Sequence, residues 1–159
     1  MHWLLECYLD IYGLFVTNEH PRATVKEKLE PRCVIQKNAK RVTELHDRIH
    51  EAFKLRDTSP EAHAEWSRAC VEFHSKYDAL AFPGGYGAGL QRIQAGDAHA
   101  IEDALAFLEV RPYFFRSQYI RTKLTRLLKR ALLTTRQAER FHRALEAGKQ
   151  NKKAGTTYA

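Results

Sequence analysis

The sequence predicts an all-α protein, a single-domain helical bundle or a short stack of helix pairs. Apolar residues recur at spacings of three and four along most of the 159-residue chain, and no segment alternates convincingly at the strand period of two. Proline and glycine clusters separate these runs into helices with short links. The predicted order is an antiparallel helix hairpin followed by three C-terminal helices, and the 44% of apolar residues suffice for one core.

Residues 1–16 are predicted to form a first helix that packs on the core. Glu6 and Asp10 interrupt this apolar run, no basic region precedes it, and it is too short to cross a bilayer. We therefore predict neither a signal peptide nor a membrane span. The helical spacing of apolar residues is lost over residues 17–37, which are predicted to be a connecting segment with a short helix at 24–29. The apolar repeat of the first helix consists of Leu4, Cys7, Ile11 and Phe15.

Two amphipathic helices form the predicted hairpin. The first covers residues 39–56, and the second starts with Pro60, which suits a first helical turn and follows the capping residues Thr58 or Ser59. Because the link is so short, the two helices lie antiparallel with their apolar stripes facing each other. The stripes consist of Val42, Leu45, Ile49, Ala52 and Phe53 on the first helix and of Ala62, Trp66, Ala69, Cys70, Phe73, Tyr77 and Leu80 on the second.

Residues 82–96 are predicted to be a glycine-rich hinge loop, with at most a short helix at 90–94. The loop contains four glycines between positions 84 and 89, and free N–H groups in such a loop can bind phosphate at a helix start. The spacing does not match a P-loop, since Leu90 and Gln91 replace its lysine and hydroxyl residue. Leu90 also replaces the third glycine of a dinucleotide fingerprint. A flexible connection without a cofactor is the prediction.

Three further helices are predicted after the hinge. Asp97 caps the first, which stops before Pro112 because the residue preceding proline avoids helical geometry. The second covers residues 117–133. Thr134 and Gln137 then have the spacing of a capping box, which predicts the start of the third helix.

Gly148 supplies a natural stop for the last helix. The residues that follow are rich in lysine, glycine and threonine and are predicted to form a disordered tail. The chain thus divides into an N-terminal helical part, a hinge loop, a basic C-terminal helical part and a tail, at residues 1–81, 82–96, 97–148 and 149–159.

Candidate metal ligands lie on the predicted hairpin. His46 and His50 are four residues apart on one helix, as are Cys70 and His74 on the other, and such spacing can bring two ligands to one ion. Counting the helical rise from the turn puts His46 level with Cys70 but His50 and His74 about one turn to opposite sides. Acidic neighbours disfavour a reactive Cys70 thiolate. We predict no metal and no catalytic residue, and an enzyme or metalloprotein remains an alternative.

Positive charge is concentrated in the last third of the chain, although the whole protein carries only +7. Residues 111–153 contain 13 basic and 2 acidic residues, a net +11, whereas the rest contains 13 basic and 17 acidic residues, a net −4. Like charges along a helix face repel each other, and a polyanion relieves that repulsion. The candidate polyanion-binding residues are Arg116, Lys123, Arg126 and Arg130 on one helix and Arg136, Arg140 and Arg143 on the next.

These stripes predict a non-enzymatic helical module that binds nucleic acid through its backbone with little base readout. An adaptor, immunity or regulatory protein that binds an acidic protein partner is the second hypothesis, with Trp3 and Tyr8 as a further contact surface. A third reading is that the basic residues pair with acidic residues of the same molecule or are only solvated.

Aromatic residues near the stripes offer stacking surfaces, but their position between two predicted helices favours a place in the core. These residues are Tyr113, Phe114, Phe115 and Tyr119. No sequence motif of a known nucleic-acid-binding fold accompanies them. We predict a cytoplasmic location, because the three cysteines, Cys7, Cys33 and Cys70, lack the number and spacing of a disulfide framework.

Overall fold

The computed structural model describes residues 30–156, and the side chains of residues 30–150. The described part is helical with no strand, so the all-α prediction is confirmed. The predicted helix at 1–16, the short helix at 24–29 and the last residues of the tail lie outside the described residues. The helices are α1 (Pro31–Leu55), α2 (Pro60–Ala81), α3 (Tyr86–Gln94), α4 (Ala98–Val110), α5 (Ser117–Leu128) and α6 (Thr135–Thr156).

Helices α1 and α2 form the predicted hairpin. Ser59 caps α2, since its side chain accepts a hydrogen bond from the Ala62 N–H at 3.1 Å. Helix α1 begins at Pro31, so the prediction of a connecting segment is wrong for residues 31–37. The reason is that proline fits the first helical turn, where its missing N–H has no intrahelical partner to lose. Ile35 is buried in the added turns and extends the apolar stripe.

Helix α3 occupies residues 86–94, so the short helix that the sequence allowed at 90–94 is present, and the prediction of a loop is wrong for residues 86–89. The glycines serve close packing and a tight turn. Gly84 and Gly85 adopt φ values of +77° and +89°, which a residue with a side chain rarely takes. A Cβ at Gly89 would overlap the buried Phe82 ring. The division of the chain into separate parts at this turn remains a prediction.

Helix α4 is the centre of the fold, because α1, α3, α5 and α6 all pack against it. Asp97 caps this helix as predicted, accepting a hydrogen bond from the Ala100 N–H at 2.8 Å. The helix is buried around most of its circumference. Its buried residues are Ala100, Ile101, Ala104, Leu105, Ala106, Phe107 and Leu108.

The two C-terminal helices pack on α4 with different bounds from those predicted. Helix α5 starts at Ser117 as predicted but ends at Leu128 rather than at residue 133. The capping box at the start of α6 is confirmed, because Thr134 and Gln137 exchange hydrogen bonds of 3.0 and 3.3 Å.

Helix α6 continues through Gly148 to Thr156, which corrects the predicted stop and the predicted tail over residues 149–156. One glycine inside a helix costs only about 1 kcal/mol. At this position the missing side chain also leaves room for the Arg111 guanidinium, which a Cβ would contact too closely.

Candidate polyanion-binding surface

The predicted basic stripe on α5 lies on the solvent side of that helix. Lys123 and Arg126 lie on the helix, whereas Arg116 is its N-cap and Arg130 follows its end by two residues, which corrects the prediction of four cations on one helix. Arg116, Arg126 and Arg130 are exposed and Lys123 is half-buried. The opposite side of α5 is buried against α4, through residues that are spaced by four along the helix. These residues are Ile120, Leu124 and Leu128. Packing of the apolar side against the core thus turns the cations of α5 toward solvent.

Six of the seven candidate residues take part in none of the ion pairs found within the described residues. We refer to these six as the basic surface: Arg116, Lys123, Arg126 and Arg130 at α5, and Arg136 and Arg143 on α6. Both helices pack on α4. Residues 111–150 contain only two carboxylates, Glu139 and Glu146, and the latter pairs with Lys149 at 2.7 Å.

Arg140, the seventh candidate, faces the interior instead. Its guanidinium donates two hydrogen bonds to Glu109, of 2.7 and 3.1 Å, and a third to Glu102. Arg32 of α1 also donates to Glu109, at 2.6 Å. Three helices therefore meet in one ionic network, and Arg140 holds α6 on α4 rather than offering its charge to solvent.

The carboxylates of this network are ionised at neutral pH. Partial burial acts to raise the pKa of Glu109, but the hydrogen bonds from Arg140 and Arg32 outweigh it and leave the pKa below its ordinary value. Burial also acts to raise the pKa of Glu102, but hydrogen bonds from Gln137 and Arg140 bring this pKa below its ordinary value. The same carboxylates raise the pKa of Arg140.

The aromatic residues between α4 and α5, together with Tyr119 at the start of α5, are mostly exposed, so the prediction that they belong to the core is correct only for Phe114. The exposed fractions of Tyr113, Phe115 and Tyr119 are 91%, 45% and 49%. Phe114 is buried and packs edge-on against Phe107, with ring centroids 6.2 Å apart. Phe114 thus fixes the connection to the core, Phe115 packs at the surface against His46 and Phe73, and Tyr113 is almost fully exposed.

Hydrogen bonds hold this connection in place at three points. Ser117 accepts a hydrogen bond from the Phe114 N–H at 3.2 Å, and the Tyr77 hydroxyl of α2 donates to the Phe115 carbonyl at 2.9 Å. Arg121 donates to the Pro112 carbonyl at 3.2 Å. The exposed aromatic residues are therefore displayed by a fixed segment of backbone.

Arg116 stands where this segment enters α5 and has a left-handed backbone conformation, with φ +62°. Its guanidinium lies 5.7 Å from the centroid of the Tyr119 ring, and the Lys123 ammonium lies 5.6 Å from the same centroid. Burial raises the pKa of both Tyr77 and Tyr86, and the charge of Arg116 partly offsets this rise in each. Arg116 thus contacts Tyr119 of α5, and its charge also acts on Tyr77 of α2 and Tyr86 of α3.

The four candidate metal ligands do not form a site. His46 stacks on Phe115 with centroids 4.7 Å apart and meets the His50 ring edge-on at 4.6 Å. His74 is turned back along its own helix, with its Nδ1 2.8 Å from the Cys70 carbonyl oxygen. Within the described residues, no three metal-ligating side chains come together. Burial, and next to it the neighbouring His50, lower the pKa of His46.

At the start of α3, next to the glycine turn, the position of a bound anion is taken by a side chain of the protein, Asp78. The Asp78 carboxylate accepts a hydrogen bond from the Gly87 N–H at 3.0 Å, in the place where a bound phosphate would accept one. Beside the turn is a cleft of about 320 Å³, lined among others by Arg92, His99 and Asp103. Arg92 in that cleft is bonded to Asp97 at 3.0 Å.

Comparison with known proteins gives no relative: no family model, no curated protein and no solved structure matches this chain. In the part that the structure describes, no helix combines the length and apolar character needed to cross a membrane. Function is therefore inferred from the chemistry of the surface, and the basic surface with its exposed aromatic neighbours is its most distinctive feature.

Proposed function

We propose that this protein is a non-enzymatic helical module that binds a polyanion, nucleic acid, through its basic surface. The observation that carries the proposal is that the six cations of this surface lack carboxylate partners within the described residues. Some other cations of the fold, such as Arg48 and Arg140, meet carboxylates at 2.5 to 2.7 Å.

Electrostatics favours a polyanionic partner over solvent alone. Lys123 and Arg126 are three residues apart on α5, and like charges at this spacing on a helix repel each other. Phosphates of a nucleic-acid backbone remove this repulsion and release their condensed counterions when they are neutralised. Arginine, which supplies five of the six cations, also binds phosphate through two parallel hydrogen bonds.

The test is binding of a fluorescently labelled duplex and a labelled single strand at low and at physiological salt. Removing two cations with Arg126→Gln and Arg130→Gln is expected to weaken binding by about tenfold or more, because two phosphate contacts are lost. Lys37→Gln with Lys40→Gln is the matched control, since both lysines are exposed on α1 and the change in net charge is the same. The control is expected to change the affinity by about twofold or less.

Two results would contradict the proposal. One is the absence of binding to either probe at low salt. The other is an equal loss of affinity in the control variant, which would mean that net charge rather than the basic surface determines binding.

An acidic protein partner is the second candidate, and the exposed apolar side chains beside the cations favour it. Leu132 is 98% exposed, two residues after Arg130. Affinity purification from the native cell with and without nuclease separates the two candidates. A stoichiometric protein partner that survives nuclease treatment and is lost with Arg126→Gln and Arg130→Gln would favour the second candidate over nucleic acid.

A further inference from the structure

Aromatic side chains next to the basic surface indicate which form of nucleic acid it suits. We infer that the protein prefers single-stranded to duplex nucleic acid, with bases stacked on Tyr119 and Tyr113 while Arg116 and Lys123 contact the phosphates. This inference rests on the proposed function, because it specifies the ligand of the same surface.

Tyr119 combines a half-exposed ring with two cations that lie over it. About half of its surface is exposed, and the Arg116 and Lys123 charges lie 5.7 and 5.6 Å from its centroid. A base that stacks on this ring takes the place of a cation there, and the displaced side chain then lies next to the phosphates of the same nucleotide. In a duplex the base faces are covered by their neighbours, so only an unpaired strand can use such a ring.

Tyr113 is a second exposed ring and is held on a rigid segment. It is 91% exposed, and within the described residues no ring contact or hydrogen bond involves its side chain. Phe114 and Phe115 on its C-terminal side are fixed by the core and by the contacts with Tyr77 and His46. A preformed segment loses little conformational entropy on binding, so less of the favourable stacking energy is offset and the affinity is higher.

The experiment compares a labelled oligo-dT strand, which forms no hairpin, with a duplex of the same length, both added to the full chain at low salt. The single strand is expected to bind more tightly. Tyr119→Leu and Tyr113→Leu are each expected to weaken binding of the strand by about tenfold and binding of the duplex by about twofold or less. Phe53→Leu is the matched control, because Phe53 is also half-exposed and lies 4.0 Å below a cation, Arg56, but belongs to the hairpin.

The outcomes separate the inference from the proposed function. Duplex binding that equals or exceeds binding of the single strand overturns the inference and leaves the proposed function standing. Unchanged strand binding in both tyrosine variants also overturns it. Binding of neither probe removes the proposed function and the inference together. Tyr113→Leu keeps the test decisive even if Tyr119→Leu disturbs α5, because the Tyr113 side chain packs against so little of the fold.

Discussion

The hairpin and the basic surface both carry arginines on exposed helix faces, but their charges are used differently. In the hairpin Arg48 of α1 reaches across to Glu65 and Glu72 of α2, at 2.7 and 2.6 Å. The cations of the basic surface have no such partner among the described residues, and residues 111–153 contain only two carboxylates. The comparison shows that the number of nearby carboxylates, more than the number of arginines, decides whether the charges on a helix face form ion pairs within the fold.

Arg140 is the C-terminal arginine that behaves like those of the hairpin, and its replacement should have the largest effect on stability. Arg140→Ala leaves Glu109 and Glu102 without their main partner, and we expect the free energy of unfolding to fall by about 2 kcal/mol. This is less than for a fully buried pair, because the Arg140 and Glu109 side chains each keep 18% of their surface exposed. Urea denaturation followed by circular dichroism measures the change.

Arg143→Ala is the matched control, three residues further along α6. This arginine is exposed and outside the ion pairs of the described residues, so its loss should change the free energy of unfolding by about 0.5 kcal/mol or less. Equal destabilisation by the two variants would mean that Arg140 does not differ from the basic surface.

Acid should act on the paired charges and spare the basic surface. The lowered pKa values of Glu102 and Glu109 mean that their contribution to stability is complete above their ordinary pKa of 4.5. It is lost as the pH falls through the lowered values. Asp97 follows below its ordinary pKa of 3.8, because hydrogen bonds from Arg92 and the Ala100 N–H hold its pKa at about 2.

We therefore expect the urea midpoint to drop when the pH is lowered from about 4.5 to about 2, and to drop less in Arg140→Ala. The variant has already lost the interactions that protonation of Glu109 and Glu102 removes. A series of urea titrations at stepped pH measures this. Parallel acid dependence of the wild type and the variant would contradict the role given to the ionic network.

The smallest expected effect on stability is at Arg116, and its sign is opposite. Left-handed backbone costs an ordinary residue about 1 kcal/mol, and asparagine tolerates it better. Loss of the contact with Tyr119 offsets about half of this gain. Arg116→Asn should therefore raise the free energy of unfolding by about 0.5 kcal/mol while weakening binding of nucleic acid. A clear loss of stability in urea would instead assign Arg116 a structural role.

Local signals in the sequence predict the helix boundaries that depend on a single residue type. Ser59, Asp97 and Thr134 cap their helices because each places a side-chain oxygen before an apolar run. The start of α1 and the existence of a longer α3 escape this reasoning. Pro31 marks a helix start as readily as an interruption, and Gly89 of α3 is required by its close contact with Phe82, which is a tertiary feature.

Only part of the candidate surface is accessible to sequence reasoning. The charge count locates the basic region, and the spacing of Arg116, Lys123 and Arg126 places them on one side of α5. The sequence does not reveal that Arg140 turns inward, because this depends on how α6 packs on α4 and meets Glu102 and Glu109. Glu102 and Glu109 lie seven residues apart on one face of α4, which is the only local hint.

The exposed rings could not be identified from the sequence for a related reason. Tyr113, Phe114 and Phe115 are consecutive aromatic residues in an irregular segment, where no period tells which of them faces the core. The fold selects Phe114, and Arg116 follows in a left-handed conformation that usually signals glycine or asparagine.

The most direct test of the basic surface is the salt dependence of binding. We predict that the logarithm of the association constant for a duplex falls linearly with the logarithm of salt concentration. The slope should become shallower by about 1.8 in Arg126→Gln with Arg130→Gln, because each lost phosphate contact contributes about 0.9. In Lys37→Gln with Lys40→Gln it should stay as in the wild type. A slope unchanged by the first pair of substitutions, or changed equally by both pairs, would contradict the assignment of the basic surface.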